Sequence, residues 1–282
     1  MVVVAAAVVR RPRRSNSEAE VIEEILAEAA RGRRALLTMT ASASVWQDRA
    51  AVDGAWRRWA NRRPPGSVAP LAAAQGRPRF RGAPRIRGWL GVRREPQLVA
   101  PSPFEATPTR LVASVARALP DRWRVETRAD DQRETGLLVV AGQRWWSAVR
   151  VLDADGTERI RTAGNAVPVV HSAIAEMLEA DHLLSQLNVA VVGDVVHAGR
   201  TCVRLSGTLR DSDEIAIWPA DSYDLYLDVE HGVLLRFAAV VDGDEAAVAV
   251  LSDTSFNIEI PDETFTRDPP NGISWRWLSA VQ

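Results

Sequence analysis

The sequence predicts an α+β protein built on one antiparallel sheet with helices on one face. Three observations carry that expectation. From Asn188 to Pro270 apolar and polar residues alternate in runs joined by short polar turns, two of them marked by His231-Gly232 and Asp242-Gly243. Residues 17–31 and 168–187 instead repeat their apolar side chains at helical spacing. The chain reads as a helix, a few strands, a helix and then many strands, with no solenoid repeat, a pattern suited to helices segregated to one side of a sheet.

The elements follow in order. Residues 1–16 are expected to form a disordered basic tail, and 17–282 a single domain. Ser17 and Glu20 fit a capping box, in which the serine bonds a free amide of the first turn and the glutamate reaches back. Val21, Ile22, Ile25, Leu26 and Ala29 give the helix one apolar face, and Gly32 is its expected stop. Residues 35–46 alternate as a strand and 48–61 suit a short helix. A flexible Arg/Pro-rich loop is expected over about 57–84, where five prolines and three glycines fall within 62–84 and preclude a packed element. Residues 86–95 resume as a strand, 109–119 suit a helix ended by Pro120, and 121–130 alternate with Trp123 and Val125 on one face. Residues 136–149 read as two strands hinged near Ala141-Gly142, and 157–163 as another. The helix at 168–187 carries Val170, Ile174, Met177, Leu178 and Leu184 along one side. Five strands then form an antiparallel meander, IPDETFTRDPP makes a turn that plugs Phe265 into the core, and WRWL is a last strand or a packed tail.

Composition bounds the function. A chain of 282 residues with 46% hydrophobic content can bury a sizeable core, and a net charge of −1 does not describe a nucleic-acid binder as a whole. The charge is unevenly spread. Residues 57–94 hold eleven Arg and no acid, whereas 211–282 hold fifteen Asp or Glu against three Arg. The sequence has no Lys. The basic stretch, with Arg57, Arg58, Arg62, Arg63, Arg77 and Arg79 and interleaved Trp56, Trp59 and Phe80, suits a solvated loop or an interface. Its partner would be a protein, a second copy, or the acidic half of the chain itself. Contact with phosphates or with an anionic membrane surface is a further alternative, and because no DNA or RNA recognition motif accompanies the stretch, self- or protein association ranks above nucleic acid.

Cys202 is the sole cysteine, which excludes an intrachain disulfide, and its place in TCVRLSG suits an inert buried thiol on the face of Arg204. The N-terminal MVVVAAAVV precedes its basic residues, the reverse of a secretory signal, and is far shorter than the roughly 20 residues of a membrane span. The expectation from the sequence as written is a cytoplasmic protein without a transmembrane segment, and a cell-envelope one only if the true start lies upstream.

Candidate chemistry is sparse. His171 and His182 share a helical face, but no third convergent ligand is evident for a metal, and His197 and His231 fall in turns. The acidic pairs Asp130-Asp131, Asp213-Glu214 and Asp262-Glu263 lie in loops where charge is solvated. The chain has neither a phosphate-loop context nor G-x-S-x-G. The expectation is a protein that is not an enzyme and needs no cofactor or metal. The tryptophans on strands face either the core or the outer surface, and the adjacent Trp145 and Trp146 must point to opposite faces.

Several segments together carry a family likeness: RWRVETR (122–128), GQRWWSA (142–148), HAGR (197–200), YDLYLDVEHGVLLRFAAVVDG (223–243) and FNIEIPDETFTRDPP (256–270). In this order they resemble the LolA/RseB-like lipoprotein-carrier superfamily, and among its members the leaderless actinobacterial proteins. The likeness covers roughly residues 85–282 and, less fully, the opening helix and strand. It implies a strongly curved antiparallel sheet, a half barrel, with helices across its concave face, which in the carriers holds acyl chains. In the sequence as written, two carrier features, a signal peptide and a lipidated cysteine, are expected to be missing. The function expected is a non-enzymatic module binding an apolar (acyl-chain or lipid) ligand in the concave face, with Trp89, Trp123, Trp145, Met177 and Leu184 as lining candidates and the two helices as a lid. The alternative is a protein-interaction or regulatory module with a self-filled cavity that docks through the Arg-rich loop.

Overall fold

A computed structural model describes residues 17–61, 109–129, 134–142, 144–152, 156–162, 169–210 and 218–266, together with positions 268, 269, 273, 276 and 277. The basic tail, the strand expected at 86–95 with Trp89, and the loop from residue 62 on, with Arg62, Arg63, Arg77 and Arg79, lie outside the described residues.

Helix α1 (Glu18–Ala35) begins at the expected capping box: the Glu20 amide donates to Ser17 Oγ at 3.4 Å and the Ser17 amide to Glu20 Oε2 at 3.1 Å. It does not stop at Gly32. That glycine is interior to the helix, and the position requires glycine because a Cβ there would collide with the Glu230 carbonyl. Its role is close approach to a β-turn, not helix termination. Helix α2 (Arg49–Asn61) follows strand β1 (Thr38–Gln47), with the Ala51 amide donating to Asp48 Oδ1 at 3.1 Å. Arg57 and Arg58 are therefore helical and exposed, and the loop expected from about 57 begins no earlier than 62.

The segment expected as a helix at 109–119 is strand β2 (Thr109–Ala118). It sits between β1 and β3 (Arg122–Ala129) in continuous register, so the sheet decides its conformation. Leu111, Ala113, Val115 and Arg117 point inward, and the inward charge of Arg117 disguises the alternation. Strands β4 (Glu134–Ala141), β5 (Arg144–Leu152) and β6 (Glu158–Thr162) complete a meander as expected.

The helix expected at 168–187 is broken in two. Helix α3 (Val169–Leu178) ends at Glu179, whose backbone (φ −117°, ψ 51°) turns the chain before α4 (Ala180–Ser185). The second meander, β7 (Leu187–His197), β8 (Arg200–Leu209), β9 (Ser222–Asp228), β10 (Val233–Val241) and β11 (Asp244–Phe256), is as expected.

Pairing of β1 with β11 fuses the two meanders into one antiparallel sheet, of twelve strands among the described residues, ordered β12-β5-β4-β3-β2-β1-β11-β10-β9-β8-β7, with β6 also on β5 and the short β12 (Arg276–Trp277) at the edge. The register is shifted at Val192, Leu235, Ala246 and near Asp253, all in the second meander or its seam with β1. Such bulges bend strands, and the sheet is an open half barrel with the helices across its concave face.

On that face α3 packs against β10 and β1, while α1 and α4 pack against β7. Ile174, Met177, Leu178, Leu183 and Leu184 are buried in one continuous core with the inward residues of both meanders. Trp145 joins this core, and its neighbour Trp146 packs on the opposite face with Val139, Ala148 and Ile273, as alternation requires. Phe265, delivered by a single 3-10 turn at Asp262–Thr264, is fully buried, with the Arg122 guanidinium over its ring. No helix among the described residues is long and apolar enough to cross a membrane.

Candidate functional site: the cavity between α1 and α4

Two helix stripes face one another on the concave side. Leu26, Ala29, Ala30 and Arg33 recur at helical spacing on α1, and Ala180, Asp181, Leu184 and Ser185 on α4. With Arg210 and Gly232 they bound a mainly apolar cavity of about 150 Å³. The cavity is partly open to solvent, and its volume is about that of a benzene-sized group. Gly232 is required in the wall, because its φ of +65° and its contact with the Ala29 carbonyl leave no room for a Cβ.

A charged seam closes one end. Glu179, turned inward by the α3–α4 corner, offers one carboxylate oxygen, Oε1, to two guanidiniums: Arg33 Nη2 at 3.3 Å and Arg117 Nη2 at 3.2 Å. Arg117 also donates to the Leu178 carbonyl at 3.0 Å and lies over the Trp123 ring, 4.1 Å from its centroid. Arg33 Nη1 reaches across to Asp181. Burial lowers Arg117 to about 10, against the pull of Glu179, and burial likewise raises Glu179 against the pull of Arg117 and Arg33. Beneath the seam, His182 Nδ1 lies 2.8 Å from Glu176 and its Nε2 3.2 Å from Gln186 Nε2. His182 is thus a buried, bonded core histidine and not a solvated one. The side chain of His171 lies outside the described residues.

The lining expected from sequence divides. Leu184 borders the cavity, whereas Trp123, Trp145 and Met177 are packed within the core. Sequence reading did not single out Arg33, Arg117 or Glu179; an arginine at an inward strand position was the one available signal. Of the basic run, Arg58 meets the acidic half of its own chain, 3.4 Å from Asp242 in the β10–β11 turn.

A second cluster joins the HAGR turn to the β9–β10 turn. Asp228, Glu230 and His231 bring ligand-type atoms within 4.8 Å of one another, a convergence invisible in the sequence. The cation they hold is Arg200: its guanidinium lies 2.5 Å from Asp228 Oδ2, 3.0 Å from Glu230 Oε2 and 2.8 Å from His231 Nδ1. That geometry fits an ion-pair lock. On the outer face of the sheet, Ser252, Ser42, Ser114 and Glu126 stand in register across four strands and line an open polar groove of about 670 Å³ with Arg110 and Arg128.

No protein-family model matches the chain, and a comparison with curated proteins finds no match either. A comparison with solved structures finds chains similar over most of this one at low identity. The structure of the Pseudomonas aeruginosa MucA/MucB complex is similar over 89% of this chain at 14% identity and a TM-score of 0.42, and the chain spans 61% of that protein's length. Mycobacterium tuberculosis lipoprotein LppX (12% identity, TM-score 0.41) is similar over 85% of this chain and 98% of its own, and Mycobacterium bovis LprF (12%, TM-score 0.42) over 88% and 99%.

Proposed function

We propose that the chain is a non-enzymatic binding module that takes an apolar ligand, of acyl-chain or other hydrocarbon type, on the concave side of its sheet, entering between α1 and α4. The observation that supports this is the preformed apolar cavity under α1. Its size suits one end of a chain, so a longer ligand needs α1 to lift. Helix α1 is the cover most easily moved: it buries only Ile25 and Ala29 fully, whereas α3 and α4 together bury five large apolar side chains in the core. Exposing Ile25 and Ala29 costs on the order of 3 kcal/mol, within reach of the burial of a few methylenes of ligand.

The test is mass spectrometry of an organic extract from protein purified without detergent, together with binding of a neutral apolar fluorophore. A stoichiometric acyl species, and probe binding abolished when Ala30→Trp fills the cavity, are the expected results. A clean extract and no probe binding by well-folded protein would sink the reading.

A second reading is favoured by how completely the described interior is filled by its own helices. It is a protein-interaction module that docks through the Arg-rich stretch beginning at Arg57. Removal of residues 62–84 would then abolish capture of a partner or self-association while leaving the fold intact, and unchanged association would exclude it.

A further inference from the structure

Arg33 stands at the end of the apolar stripe of α1 that faces α4, so it belongs to the cavity wall and to the charged seam at once. One nitrogen engages the buried Glu179, at the corner where α3 turns into α4, and the other the exposed Asp181 in the first turn of α4. Glu179 is itself anchored from behind by Arg117 on β2, which also binds the Leu178 carbonyl. The α3–α4 corner is therefore fixed to the sheet, and Arg33 ties α1 to that fixed corner. Beside it, Gly32 seats α1 on the β9–β10 turn. Elsewhere α1 is anchored in the core by Ile25 and Ala29, with Val21 exposed and Ile22 and Leu26 half-buried.

We propose that Arg33 is a clasp, which by gripping Glu179 and Asp181 holds α1 closed over the cavity and thereby limits how fast an apolar ligand enters. This rests on the ligand-binding reading above and names how that site is gated. The physical argument is one of alternatives. When α1 lifts, Arg33 leaves a buried carboxylate that keeps only Arg117 of its two cations, and charge-assisted bonds of this kind are stronger than neutral ones. A bidentate guanidinium can grip both carboxylates together, which an ammonium cannot do with the same geometry.

The experiment compares the full-length wild type with Arg33→Met and Arg33→Lys by amide hydrogen exchange and by stopped-flow entry of N-phenyl-1-naphthylamine, a neutral probe insensitive to the lost charge. In Arg33→Met, α1 amides are expected to exchange at least about 10-fold faster, the factor for losing one charge-assisted bond, with the central strands unchanged. Probe entry should accelerate by a similar factor, and Arg33→Lys should fall between. Unchanged α1 exchange in Arg33→Met overturns the clasp, as does faster exchange with unchanged entry in a protein that binds the probe. If neither protein binds the probe, the ligand-binding reading fails separately. The clasp is then judged on exchange alone, which supports a latch on α1 if it quickens and overturns it if not.

Discussion

Arg200 Nε donates to Asp228 Oδ2 at 2.5 Å, joining the first residue of β8 to the last residue of β9. Asp228 is 1% exposed, and its other oxygen accepts from the His231 amide at 3.3 Å. The His231 ring stacks on Phe256 with centroids 3.8 Å apart, and the Arg200 guanidinium lies 4.9 Å from the same ring centroid. The turns of two hairpins and the end of β11 are thus pinned at one point.

Removing the arginine strands a buried carboxylate. Arg200→Met is expected to cost about 3–5 kcal/mol of stability, the range for breaking a buried pair from one side. Asp228→Asn, which leaves a half-exposed cation and keeps the shape, should cost less. Urea unfolding of the two variants checks the order; equal or reversed losses would show that the contact is not a buried pair in solution.

Gly32→Ala offers a test of sign. In a free helix alanine is favoured over glycine by about 1 kcal/mol. Here the added Cβ strikes the Glu230 carbonyl, so the variant should melt below the wild type. A raised melting temperature would mean that α1 does not rest on the β9–β10 turn.

Glu179 should leave a mark on the pH dependence of stability. Burial raises its pKa above the ordinary value of 4.5, the effect of the two arginines notwithstanding. Its contribution to stability is therefore fully present below about 4.5 and is lost as pH rises through the higher native value. Unfolding free energies measured between mildly acidic and neutral pH should show a decline with rising pH that Glu179→Gln flattens. An identical slope in the variant would refute it.

Cys202 is predicted to be silent. Burial, with Asp228 nearby, pushes its thiol up to about 11, so little thiolate exists near pH 8. A disulfide-exchange reagent should modify the native protein very slowly and, in denaturant, release one equivalent, since the chain has one cysteine. Rapid native modification would contradict the burial.

Alternation and turn chemistry are local properties, and they set most of the fold in advance. The five-strand meander, the hairpin hinge at Gly142, the opposed Trp145 and Trp146, the capping box at Ser17 and the plug at Phe265 all depend on neighbours within a few residues. Tertiary structure decided what locality does not contain. Residues 109–118 are a strand because β1 and β3 flank them, residue 32 is a glycine inside a helix because the distant β9–β10 turn leaves no space for a Cβ, and the second helix breaks at Glu179 where the chain turns a carboxylate toward Arg117. The charged seam of the candidate site belongs wholly to this second class, whereas Leu184 in the cavity wall was legible from helical spacing. Arg33, Arg117, Glu179 and Asp181 are unremarkable singly in sequence, and the pairing of 33 with 179 and of 117 with 179 exists only once the helices lie across the curved sheet. A charged side chain declares its partner through proximity and burial, and for residues this far apart both are set by the packed fold alone.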